Sequence, residues 1–299
     1  MLTENVRAWI ERATRRRVVG VKRIRDATSC LLNDVELEGD GGRGHVILRR
    51  FTEEAWVRRE PDLALREAVS LQHATRASLP APEFIAVDQA GEECGVPATL
   101  VTKLPGKVVL SPTDRAHWVR GLAKAAAQIH RVDAGGFKWK YQRYNERDSL
   151  AVPAWSQQPD AWRKAIDVVL GPAPSYAECF IHRDYHPSNV LWEKGEVSGI
   201  VDWVNGCRGP AGIDVAWCRH NLANLHGVEV ADEFLAAYIE EAGSEFTYDP
   251  YWDLMTVVEL LPGPPSMYEG WRLAGHPHIS NATLRERVDE YVVSLVAPL

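Results

Sequence analysis

The chain has 299 residues, 45% hydrophobic and 25% charged, with a formal net charge of −7. That length can bury a large core and form two lobes or domains, and the composition excludes a disordered or low-complexity chain. No apolar run reaches the roughly 20 residues that a membrane span needs, and the start, MLTENVRAWIERATRRR, lacks the apolar stretch of a signal peptide. Five cysteines (Cys30, Cys94, Cys179, Cys207, Cys218) are scattered and never spaced as CxxC. They fit a reduced, cytoplasmic protein without structural zinc. Charge is uneven: residues 1–104 carry 16 basic and 16 acidic side chains, residues 209–299 carry 4 and 14. Such a surface repels nucleic acid and attracts cationic small molecules. Neither nucleic acid nor membrane is expected as a partner.

In chain order, the N-terminus reads as an amphipathic helix with Val6, Trp9, Ile10 and Ala13 on one face. Residues 18–21, 29–37 and 45–51 alternate as strands, with the glycines from Gly39 to Gly44 making a turn, so an antiparallel sheet is expected. The first hairpin tip, with Ala27, Thr28 and Ser29, is small enough for its amides and hydroxyls to approach a phosphate. Arg49 sits on a central strand and Arg50 faces the other way by alternation. A guanidinium there can fork two phosphate oxygens. A helix over 62–77, with Pro61 at its start, carries Glu67 where it can offer a carboxylate to Arg49. Strands at 84–87 and 98–102 lead into Lys103-Leu104-Pro105-Gly106, read as a linker. Main-chain groups there, at Thr102 and Leu104, are candidates to bond a purine edge. Helices are expected at 113–132 and 161–170, then through about 225 after a turn formed by the run Arg208-Gly209-Pro210-Ala211-Gly212-Ile213-Asp214, and at 230–242, 250–261 and 282–296. Residues 135–160 read as irregular.

The most informative stretch is CFIHRDYHPSNVLWEKGEVSGIVDW, from Cys179 to Trp203. It holds His182 and Asp184, Asn189 five residues after the aspartate, a turn at Lys194-Gly195, and Asp202 past a short strand. A phosphoryl-transfer site asks for such residues: an aspartate beside the attacking hydroxyl, and an amide and a carboxylate to hold Mg²⁺ against nucleotide phosphates. His182, Asp184 and His186 also spell H-x-D-x-H, which on an extended strand would suit zinc in a hydrolase.

The segments VILRRF, LREA, LVTKLPG, HRDYHPSNVL, IVDW and GPAGIDVA follow one another, over about residues 20–240, in the order that resembles the aminoglycoside phosphotransferase family of kinase-like enzymes. The resemblance implies an α+β, protein-kinase-like fold of two lobes. Residues 1–104 would form the nucleotide-binding lobe, with an antiparallel sheet and a helix, and residues 105–299 a larger, mainly helical catalytic and substrate lobe. It implies ATP or GTP as co-substrate with Mg²⁺. By resemblance Asp184 is the catalytic base, Asn189 and Asp202 are the metal ligands, Arg49 is the phosphate-pairing cation and Glu67 its partner. His182 and Asp214 would support the loop, and His186, two residues past the base, would either do the same or touch the γ-phosphate. Three departures stand out: arginine in place of the usual lysine at 49, a hairpin without its glycines, and Trp203-Val204 in place of Phe-Gly.

The stretch between Asp202 and Asp214 is too short for a peptide platform, so a small hydroxylated acceptor is expected. The acidic groups Glu240, Glu241, Asp249, Asp253, Glu259 and Glu269 suggest a cationic one, an aminoglycoside or similar antibiotic, with Tyr248, Tyr251, Trp252, Tyr268 and Trp271 available to stack on sugars. Choline, homoserine or an amino sugar as acceptor, the zinc hydrolase, and a non-catalytic nucleotide-binding pseudokinase are the alternatives.

Overall fold

The structure, a computed structural model, describes residues 2–24, 30–143, 150–244 and 246–299. The elements run α1 (Glu4–Thr14), β1 (Arg17–Ile24), β2 (Leu31–Gly39), β3 (Gly42–Arg50), α2 (Glu54–Arg59), α3 (Leu63–Arg76), β4 (Phe84–Asp88), β5 (Ala98–Thr102), β6 (Lys107–Val108) and α4 (Arg115–His130). They continue with α5 (Pro159–Leu170), β7 (Glu178–Ile181), β8 (Val190–Glu193), β9 (Glu196–Ile200), β10 (Cys207–Pro210), α6 (Ala211–His226), α7 (Val228–Ala242), α8 (Tyr251–Val258), α9 (Glu269–Leu273) and α10 (Asn281–Val296). The chain divides into two compact units. One comprises Met1–Lys107, Leu191–Glu193 and Ser198–Gly206; the other comprises Val108–Val190, Lys194–Val197 and Cys207–Leu299.

The first unit is built on an antiparallel sheet of order β1-β2-β3-β5-β4. Helix α1 starts at Thr3, whose hydroxyl accepts the Val6 N–H. Its buried Val6, Trp9 and Ile10 pack on Val18, Val35, Leu37, Val46 and Leu48. Because side chains alternate across a strand, Val46 and Leu48 join that core while Arg49 takes the other face. The register sets Arg49 beside Leu32 and Thr99. On this second face α3 presents Glu67, and Leu63 and Ala64 pack with Phe51 and Val204.

The second unit is mainly helical, with α4, α6 and α7 packed together and α5, α8 and α10 beside them. Helix α6 is buried nearly all round, from Gly212 to Leu225, the mark of a central helix. A short antiparallel pair, β7 with β10, sets Ile181 opposite Cys207. Residues 208–210 therefore form a strand rather than a turn running straight into a helix: Tyr141 N–H donates to Arg208 O and Arg208 N–H to Trp139 O, which completes the pairing. Strands β8 and β9 meet at Lys194 and Gly195, whose φ values of 53° and 87° suit a tight hairpin turn. Among the described residues, no helix is long and apolar enough to cross a membrane.

Candidate active site

In the first unit the structure brings Arg49, Glu67 and Asp202 together. Arg49 Nη1 donates to Glu67 Oε1 and to Asp202 Oδ1, each at 2.6 Å. Thr99 Oγ1 holds the other Glu67 oxygen at 2.5 Å. Arg49 and Glu67 side chains are only 7% and 6% exposed, whereas Asp202 is 32% exposed. Burial alone would discharge the guanidinium, but the carboxylates of Asp202 and Glu67 outweigh it and hold Arg49 well above the usual arginine range. Two carboxylates on one guanidinium leave a net negative charge. Asp202 lies in the left-handed region at φ 69°, which aspartate tolerates better than most residues, and begins a 3-10 turn over Trp203–Asn205. The fully buried Trp203 anchors that turn, its indole N–H on Ile200 O at 2.8 Å.

The proposed purine-edge residues divide. Thr102 donates its N–H to Glu83 O at 3.0 Å, and its hydroxyl oxygen accepts the Glu83 N–H at 2.8 Å, so both are committed within the sheet. Leu104, by contrast, has no main-chain hydrogen bond among the described residues. Ser29 and the hairpin tip 25–29 lie outside the described residues.

In the second unit, α6 grips the 182–189 loop at two points one turn apart. Asp214, fully buried, accepts the main-chain N–H of His182 on Oδ2 and that of Arg183 on Oδ1, both at 2.7 Å. His130 Nε2 lies 3.1 Å from Oδ2 and its Nδ1 is 2.7 Å from Tyr238 OH. Trp217 Nε1 donates to Asp184 Oδ1 at 2.8 Å, a contact that sequence spacing alone does not signal. Asn189 Nδ2 donates to Asp184 O at 2.9 Å and reaches Asp184 Oδ2 only at 3.3 Å. Oδ2 is thus the less committed oxygen. Burial pushes the Asp184 carboxyl up, but His186, His182 and the Trp217 N–H outweigh it and hold it below the usual carboxylate range. His186 accepts the Ser188 N–H on Nδ1 at 3.3 Å and sits 3.5 Å from Asp184 Oδ1 through Nε2.

Each unit, taken by itself, keeps one oxygen of the kind that a hard divalent cation takes. With its amide nitrogen spent on Asp184, Asn189 keeps Oδ1 without a hydrogen bond, and Asp202 keeps its second carboxylate oxygen, both among the described residues. Zinc in an H-x-D-x-H site does not fit. Strand β7 ends at Ile181 and Arg183 turns left-handed at φ 69°, so the alternation that would align His182, Asp184 and His186 is broken. No cluster of three His, Cys, Asp or Glu side chains suited to a metal occurs among the described residues.

Several expected substrate contacts are corrected. Asp253 is fully buried and holds Arg219 and the Tyr291 hydroxyl. Glu259 holds Arg183 at 3.0 Å and the Tyr141 hydroxyl at 3.2 Å. Glu269 pairs with Arg272 on its own helix. Tyr251, Trp252 and Trp271 are core residues, and Tyr248 lies against Arg219. The buried ones are spent on folding because buried charge and aromatic surface are satisfied locally, whereas Glu269 and Arg272 form an exposed surface pair.

The sheet-plus-helices architecture is that of the kinase-like phosphotransferases. Aminoglycoside phosphotransferase APH(4)-Ia superposes with a TM-score of 0.63 at 16% identity, covering 97% of this chain and 98% of that one. A macrolide 2'-phosphotransferase from Brachybacterium faecium superposes at 0.57 and 18% identity, covering 98% and 99%. The model of the phosphotransferase enzyme family matches residues 28–258, and the chain belongs to that family. Among curated proteins it is 30% identical over 190 residues to a homoserine kinase of Methylorubrum populi, covering 56% of each. It is 28% identical over 167 residues to that of Azorhizobium caulinodans, covering 50% of each. The chain thus matches about half the length of these relatives.

Proposed function

We propose that the protein is a Mg²⁺-dependent phosphotransferase that moves the γ-phosphoryl group of ATP or GTP to a hydroxyl of a small molecule. The observation that carries this is the setting of Asp184: a carboxyl held below the usual range, whose Oδ1 is fixed by Trp217 at 2.8 Å while Oδ2 takes only a longer contact from Asn189 at 3.3 Å and can turn to an acceptor. A carboxylate so held can orient the hydroxyl and take its proton late on Oδ2 as the phosphoryl moves in line. The loose transition state asks mainly for positioning and charge stabilisation. Arg49, braced by Glu67, is assigned to the nucleotide phosphates, Leu104 to the purine edge, and Asn189 Oδ1 and Asp202 to the metal. Mg²⁺, when bound, supplies charge neutralisation for the β and γ phosphates. His182, His186 and Asp214 shape the loop and do not react. In this reading the first unit binds nucleotide and the second holds acceptor. Intact Asp184, Asn189 and Asp202 argue against a pseudokinase, and free, mostly buried thiols support a cytoplasmic enzyme.

For the acceptor, a metabolite is favoured over a polycationic antibiotic. Asp253 and Glu259, expected to bind amino groups, are buried and already hold arginines, and homoserine kinases stand among the relatives. The test is ³¹P NMR of reactions with ATP, Mg²⁺ and a panel of hydroxylated acceptors. A phosphomonoester resonance rising in step with ADP, and abolished by EDTA, is expected. Inorganic phosphate as the sole product with every acceptor would refute the reading.

A further inference from the structure

Beside the catalytic loop, Arg143 has no carboxylate paired with it among the described residues. Nε and Nη2 of Arg143 are buried and make no hydrogen bond. Burying an unpaired guanidinium nitrogen costs free energy, so a fold keeps one where something supplies the missing acceptor.

Its surroundings place it by the loop. Arg183, which precedes Asp184 in the chain, stacks over the Tyr141 ring at 4.8 Å and its Nη2 approaches Gln142 O at 3.4 Å. The same Nη2 pairs with Glu259, which also takes the Tyr141 hydroxyl. The Tyr141 phenol is pushed up by burial and by Glu259, while Arg183 and Arg143 pull it the other way, so the Arg143 charge is felt at this ring. Glu259 answers Arg183; no carboxylate among the described residues answers Arg143. Among the described residues the contacts set two guanidinium groups, Arg183 and Arg143, around one carboxylate, Glu259. That is the reverse of what a polycation needs, and it leaves room for one anion.

We infer that Arg143 is a specificity residue that receives a carboxylate of the acceptor, making the substrate a hydroxy acid or hydroxy amino acid. This rests on the phosphotransferase reading above. Arginine suits the task because its planar fork pairs both carboxylate oxygens and stays charged. The bound acid would satisfy Nε and Nη2 together and hold its hydroxyl-bearing arm by the loop.

The experiment compares acceptors that differ only in the carboxylate: L-homoserine against 3-aminopropan-1-ol, and L-serine against ethanolamine, with hygromycin B as the polycation. Wild type and Arg143→Ala are assayed for ADP formation with ATP and Mg²⁺. Wild type should prefer the acid in at least one pair by about 100-fold in kcat/KM, as expected for loss of a charge-assisted bidentate contact. Arg143→Ala should collapse that preference below about 10-fold through KM of the acceptor, with KM for ATP unchanged, and Arg143→Lys should recover part of it. An acid preference that survives Arg143→Ala overturns the inference. So does transfer to an alkanolamine or hygromycin B with no preference for acids, which leaves the phosphotransferase reading standing. Absence of transfer to every acceptor, with Asp184→Ala matching wild type in residual ATP hydrolysis, overturns both.

Discussion

The indole N–H of Trp217 points at Asp184 Oδ1 from 2.8 Å, from a helix whose Asp214, one turn earlier, holds the main chain of the same loop. One rigid element therefore sets both the path of the loop and the orientation of its carboxylate. Trp217 is a positioning residue: it engages Oδ1, leaving Oδ2 with only the longer Asn189 contact, and it lowers the pKa of Asp184 by donating to the charged form.

Replacing it with phenylalanine keeps an aromatic ring and removes the donor. A hydrogen bond to a charged group contributes about 1.5–3 kcal/mol, so Trp217→Phe should lower kcat roughly 10-fold or more. Without the donor the Asp184 pKa rises, so the acid limb of the kcat/KM profile should move to higher pH. KM for ATP should stay within a few-fold. A pH–rate series on the two proteins checks all three outcomes.

Asp214→Asn should separate support from chemistry. Asparagine keeps one acceptor oxygen but turns an N–H₂ toward main-chain donors now held at 2.7 Å. Leaving such a buried donor unpaired costs about 1–3 kcal/mol. Urea unfolding should show that loss in Asp214→Asn together with reduced activity, whereas Asp184→Asn should lose activity with a much smaller loss of stability.

Acid should weaken the fold through His220. This residue is buried, stacks on Trp217 with ring centroids 5.8 Å apart, and meets Asn224 through Nε2 at 2.8 Å. Burial lowers its pKa to about 4. The unfolded chain binds a proton from about pH 6.5 downward and the folded protein does not until about pH 4. Stability from this group is therefore complete above pH 6.5 and lost as pH falls to about 4, on the order of 3 kcal/mol in all. Thermal unfolding between pH 7 and 4 should show the decline, and a His220→Gln variant should show a shallower one from its own lower starting point.

Long periodic helices and the alternating strands were legible because burial follows period: Val6, Trp9 and Ile10 are all in the core, and Arg49 and Glu67 meet because alternation assigns them to facing surfaces. Short α2 buries no residue, so it left no apolar stripe to read. Strand β10 was hidden because Gly209 and Pro210 read as turn residues; only β7 and the 139–141 segment, distant in sequence, make it a strand. Acidic residues mislead when counted rather than paired: Asp253 and Glu259 look like a cation site until Arg219 and Arg183 are found on them. Trp217 carries no motif, and its role follows only once Asp214 is seen to hold the loop.

The most direct test of the account is ADP formation with a phosphorylated acceptor product, measured for wild type, Asp184→Ala and Asp202→Ala at saturating ATP and Mg²⁺. The account predicts turnover in the wild type and a loss of kcat in Asp184→Ala of about 10²–10⁴-fold, the usual contribution of a positioned base, with a comparable or larger loss in Asp202→Ala. Undiminished phosphoryl transfer by either variant would contradict it.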